Sequence, residues 1–147
     1  MKKWVIVFLF SGSLQISNAQ STHDIIVGGA QDLIKTDIQR LFDRAQFGME
    51  ADYFVVRHFA VGAGAELWTH RTNGTYRANS FVMGMRWYAN DNIFVRFRGL
   101  IGANDASLGA GWSQPLNKVW RVEAIGDFYF KGDFALRAGI LYVIRRN

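Results

Sequence analysis

The chain contains no cysteine, only one proline, and no apolar run as long as the about 20 residues that a membrane-crossing helix needs. Without cysteine there are neither disulfides nor thiolate metal sites, so a folded form outside the cytoplasm must be held by its core or by a membrane. A single proline argues against a linker-rich, multidomain chain, and 147 residues suit one domain. Charge of one sign is never concentrated. The formal net charge is +5, and setting aside Lys2 and Lys3 leaves +3 spread over scattered arginines, which excludes a nucleic-acid-binding patch. With half the residues apolar and 15% aromatic, disorder is excluded as well.

Residues 1–19 read MKKWVIVFLFSGSLQISNA. Lys2 and Lys3 precede an unbroken apolar run from Trp4 to Phe10, and Ser17-Asn18-Ala19 supplies small residues where a signal peptidase cuts. The segment is expected to be a cleaved signal peptide, with a barrel domain over residues 20–147 and export from the cytoplasm.

From Asp24 onward the dominant period is two, that of a pleated strand. Turn residues divide it into strands over 24–34, 45–55, 59–68, 80–88, 93–103, 106–113, 119–130 and 134–144. Most approach the about 9–11 residues with which a tilted strand crosses a bilayer. In strands two to eight one face can be chosen that is free of charge, for example Phe81, Met83, Met85 and Trp87 in strand four. The opposite faces hold Glu50, Asp52, Glu66, Arg86, Arg96, Arg98, Arg121, Glu123, Asp127 and Arg137, five acids and five arginines. Equal numbers suit mutual pairing inside a closed lumen, where an isolated charge would be costly. The pattern predicts an all-β, eight-stranded, antiparallel up-and-down transmembrane barrel with an apolar exterior and a polar interior.

The aromatic residues support that inversion. Up-and-down connectivity brings Tyr53, Phe59, Trp87, Trp112, Trp120 and Tyr142 to one rim, as an interfacial Trp/Tyr girdle. Phe47, Leu67, Phe81, Phe128, Phe130 and Phe134 form a second band at the other rim. Connections at the Trp/Tyr rim are short, whereas the long ones, 35–44 and 69–79, lie opposite. Outer-membrane barrels have short periplasmic turns and longer outer loops, so the Trp/Tyr rim is expected to face the periplasm. Residues 33–44 read equally as a short amphipathic helix or as an extension of the first hairpin.

Strand two, Phe47-Gly48-Met49-Glu50-Ala51-Asp52-Tyr53-Phe54, and the strand start Phe59-Ala60-Val61-Gly62-Ala63-Gly64 carry a family resemblance. So does the closing Leu136-Arg137-Ala138-Gly139-Ile140-Leu141-Tyr142. With these segments the chain resembles the small eight-stranded outer-membrane barrels common in the Bacteroidetes, related in architecture to OmpA/OmpX-type barrels. The resemblance covers the whole mature chain and implies a cell outer-membrane location, outer-membrane lipids as surroundings and insertion by the barrel-assembly machinery. Its motifs specify a barrel and no chemistry. Barrels of this kind usually end on an aromatic residue, and this chain ends Ile144-Arg145-Arg146-Asn147.

Catalytic signals are sparse. His23 and His58 are placed apart by this topology, and His70, at the outer end of strand three near Glu66, lacks the His-x-Ser pattern of lipid A deacylases. Asn73-Gly74-Thr75 reads as a loop tip. Glycines 62, 64, 109, 111 and 139 lie within strands and relieve crowding in a narrow barrel; no helix follows them to make a phosphate loop. Asp37, Asp43 and Asp105 have no calcium-ligand spacing. No catalytic, cofactor or metal residues are assigned. The expectation is a non-enzymatic outer-membrane barrel serving envelope structure or surface interaction through its outer loops, with any surface ligand unidentified. The alternatives are a small passive pore, an outer-leaflet enzyme, and a soluble lipocalin-like barrel binding an apolar ligand.

Overall fold

The computed structural model describes residues 21–35, 44–70 and 76–146, and within these the chain forms eight strands closed into one antiparallel barrel. They are β1 (Ile25–Lys35), β2 (Arg44–Val56), β3 (Phe59–His70), β4 (Tyr76–Tyr88), β5 (Ile93–Ile101), β6 (Asp105–Pro115), β7 (Trp120–Tyr129) and β8 (Phe134–Ile144). Each strand pairs with its sequence neighbour, and β8 returns to β1, with Ile25 opposite Ile144. Among the described residues every strand therefore has a hydrogen-bonded neighbour on both sides.

Alternation along the strands decides the faces. Along β8 the side chains alternate without a break between exposed and buried. Exposed residues include Met83, Met85, Val95, Leu108, Phe128 and Ile140, so the apolar set points away from the barrel axis. A β-bulge at 32–34 of β1 breaks the alternation there and leaves both Leu33 and Ile34 outward. Further bulges lie at Phe54/Val56 in β2 and where Glu66/Leu67 of β3 meets β4.

Several strand ends differ from the sequence reading. β3 and β4 run on to His70 and from Tyr76, so the expected 69–79 connection shrinks to 71–75. Their ladder continues through Leu67↔Ala78 and Thr69↔Tyr76, a pairing that residue-by-residue turn propensity does not reveal. β5 stops at Ile101 rather than Ala103 because Gly102 (φ 106°) and Asn104 (φ 49°) turn the chain through left-handed backbone. Lys35 closes β1, and the helix-or-hairpin question for 33–44 falls mostly on 36–43, outside the described residues; residues 1–20, with the expected signal peptide, lie outside them too.

At the Trp/Tyr rim two asparagines shape the turns. Asn90 Oδ1 accepts the amides of Asn92 and Ile93 (2.9 and 2.7 Å), and Asn117 Oδ1 accepts those of Val119 and Trp120 (both 2.9 Å).

Candidate functional site: the charged lumen

Alternation turns every second residue of each strand into the lumen, and an eight-stranded barrel leaves room there for side chains alone. Glu50, Asp52, Glu66, Arg86, Arg96, Arg98, Arg121, Glu123, Asp127 and Arg137 all point inward. Four of the arginines join carboxylates across the interior. Arg86 reaches Glu50 (3.1 Å), Asp52 (2.9 Å) and Glu123 (3.0 Å), and its guanidinium lies 5.1 Å from the Phe94 ring centre. Arg96 binds Asp127 through two of its nitrogens and lies 3.5 Å from Glu50. Arg98 gathers Glu50 (2.8 Å), Glu66 (2.9 Å) and Asp127 (3.2 Å), and also donates to the Tyr129 hydroxyl (3.2 Å). Arg137 pairs with Asp32 and with Glu66 (2.8 Å). Such multiple partners are what buried charges require.

Two members differ from the sequence reading. Arg121 is inward, but its guanidinium donates to Ser113 Oγ (2.9 Å), Ser113 O (3.1 Å) and Asp91 O (2.7 Å), so it braces a turn and pairs with no carboxylate among the described residues. Asp32 joins the network without having been expected. Among the described ion pairs Asp32 adds a further carboxylate to the five read from sequence. The signal was present: Asp32 lies on the β1 phase that carries Ile26 and Gly28, but both faces of that strand are mixed.

Glycines make the space. A Cβ at Gly62 would press on the Asp52 carboxylate and come within 2.8 Å of the Ala51 carbonyl, and one at Gly109 would meet the Asp127 carboxylate. These glycines are the cross-strand partners of those aspartates, and Gly84 stands likewise opposite Arg98 and Gly64 opposite Glu50. A long charged side chain crosses the lumen where its ladder neighbour has none.

Apolar layers close the network above and below. At the Trp/Tyr end Phe54, Tyr88 and Phe94 stack (ring centres 5.6 and 5.2 Å apart), packed with Ile26, Ile125, Leu141 and Val143. Toward the other end lie Val82, Leu100, Tyr129 and Ala135. Two of the gaps lined by described residues are each about 10 Å³, the room of a single water molecule. The sequence reading sorted faces by charge and overlooked these inward apolar residues.

The six interfacial aromatics all point outward at one rim, with Trp87 52% exposed. Phe59 pairs with Trp87, and Trp120 meets Tyr142 edge-on at 5.0 Å. Nδ1 of His23 is hydrogen-bonded to the Tyr53 hydroxyl, and His58 occupies the β2–β3 turn. His70 ends β3, with its side chain outside the described residues. Asp105 Oδ1 accepts the Ala106 amide (2.8 Å).

Among solved structures, a de novo designed transmembrane β-barrel superposes with a TM-score of 0.61 at 11% identity, over 86% of this chain and 99% of the other. The chain has the fold of a transmembrane β-barrel. A second designed transmembrane barrel, solved by NMR, gives 0.51 at 15% identity over 89% of this chain and all of its own. The KdgM porin aligns at 0.35 and 13% identity over 83% of this chain and 99% of its own, too low to bear on this barrel. No protein-family model and no curated protein matches the chain.

Proposed function

We propose that the chain is an integral outer-membrane protein of the Bacteroidetes-type barrel family, without enzymatic activity. In this reading a sealed barrel holds its outer connections, 36–43 and 71–75, in place for envelope structure or contact with a surface ligand. Residues 1–19 serve as the export signal, the barrel-assembly machinery inserts the chain, and the Trp/Tyr rim faces the periplasm. The observation that carries the reading is the inversion of the faces: Met83, Trp87, Phe128 and Ile140 point out while Arg98 and Arg137 are 1% exposed within. That arrangement is stable in lipid and unfavourable in water. Among the described residues the lumen is filled by paired charges, which favours a scaffold over a pore and over an apolar cavity of the lipocalin kind.

Fractionation tests it. The chain should pellet with outer membranes and migrate differently on gels before and after boiling. Recovery in the soluble periplasm without that shift overturns the proposal. Planar-bilayer recordings should show no steady conductance, and a resolved single-channel step would favour the passive pore.

A further inference from the structure

We propose that the wall formed by β1 and its neighbours β8 and β7 pairs, through Gln31, with the same wall of a second copy of this chain in the plane of the membrane. The inference goes beyond the function proposed above but rests on its membrane reading. Gln31 is exposed on the outer face of β1, where period two puts it in line with Val27. Its depth follows from the ladders. One row of neighbours runs from Trp112 of β6 through Ala124, Ala138 and Gln31 to Phe47 of β2. Strand tilt carries such a row from rim to rim. It leaves the Trp/Tyr girdle at Trp112 and reaches the second aromatic band at Phe47. Gln31 therefore stands between the girdles, at hydrocarbon depth. Among the described residues no other polar side chain faces outward there, and the Gln31 amide meets no hydrogen-bond partner among them.

An amide facing acyl chains has neither donor nor acceptor to meet, a cost that lipid does not relieve. Headgroups and glycolipid sugars lie at rim depth, out of reach of this position. A second copy answers the need by symmetry. A two-fold axis along the bilayer normal sets both barrels at the same depth and the same way up, so a residue beside the axis meets itself. An amide donates and accepts at once, so two facing Gln31 side chains bond reciprocally, as polar side chains do between membrane segments. The surface around Gln31 permits the approach. Ala138 and Ala124 extend the row with methyl groups only, and both are exposed. On the other side the Phe47 ring lies over Gly29, where a Cβ would come within 2.6 Å of it, and so does not screen the amide. The opposite wall, at β4, presents Phe81, Met83, Met85 and Trp87 and no amide side chain between the girdles.

The chain has no cysteine, so Arg57→Cys, in the exposed β2–β3 turn, gives a single labelling site and serves as the parent. Batches of the full chain carrying donor or acceptor dye there are mixed and refolded into dimyristoylphosphatidylcholine vesicles, and energy transfer is followed as lipid is added. Transfer in the parent should exceed that of randomly placed barrels and fall on dilution. Gln31→Leu, whose side chain suits lipid, should need about tenfold more protein per lipid for half-maximal transfer. Ala138→Phe keeps the amide but raises the wall beside it, and should weaken transfer likewise. Met85→Phe, on the opposite wall, should not. Transfer in the parent no greater than random, or equal midpoints for the parent and Gln31→Leu, overturns the pairing. So does a loss in Met85→Phe that matches the loss in Ala138→Phe. Vesicle flotation separates this outcome from the membrane reading. Chains that float yet show no excess transfer sink the dimer alone, whereas chains that do not float overturn the membrane reading itself.

Discussion

Arg98 holds three carboxylates from three strands, Glu50 of β2, Glu66 of β3 and Asp127 of β7, while its own strand is β5. Removing it leaves buried acids short of a cation, a loss of about 3–5 kcal/mol for such groups. Arg98→Ala should therefore lower the denaturant midpoint of the barrel in detergent sharply. Arg121→Ala, which gives up hydrogen bonds to one hydroxyl and two carbonyls, should cost about 1–3 kcal/mol. Equal effects would show that pairing does not hold the interior together. Gly62→Val offers a second check, because its side chain needs the place of the Asp52 carboxylate: the variant should refold poorly, whereas Ala63→Val, on the exposed face, should refold normally. At this scale much was legible. Among the described side chains, charges separated onto one phase of β2 to β8, since period two is a property of each strand alone. Which acid meets which arginine was not legible, because Arg137 reaches Glu66 across 71 positions of sequence. Asp32 escaped for the same reason that β1 was hard to phase.

At the scale of the strand, phase and number followed from alternation, but ends did not. β5 ends where Gly102 takes positive φ, and β3 and β4 continue for as long as they find each other. The first is a local steric matter and the second a matter of pairing, which no single segment encodes. The asparagine turns make a strand-level prediction. Asn90→Ala and Asn117→Ala each remove an acceptor for two backbone amides, and each should cost about 1 kcal/mol by denaturant titration. Changes of that size should also leave the heat-dependent gel shift intact; its loss would mean that the turns decide whether the barrel forms.

For the whole molecule, the two faces divide the labour. The outside contributes solubility in lipid, and the inside contributes rigidity through a charged layer held between the Phe54–Tyr88–Phe94 stack and the Val82–Leu100–Tyr129 cluster. The layering was not visible in sequence, where inward apolar residues near strand ends look like lapses in a polar face. They become a pattern once β1 to β8 are laid side by side.

The β1–β8 ladder bears on synthesis as well as on shape. Ile25 faces Ile144, so the first strand made waits for the last, and every shorter chain is an open sheet with two raw edges. A chain cut after Gly132 keeps most of the lumen charges and still lacks the partner that completes the ring. It should be digested by protease under conditions in which the full chain survives. On that outcome closure would act as a length gauge: a product missing its final hairpin arm would be exposed to protease by its own geometry.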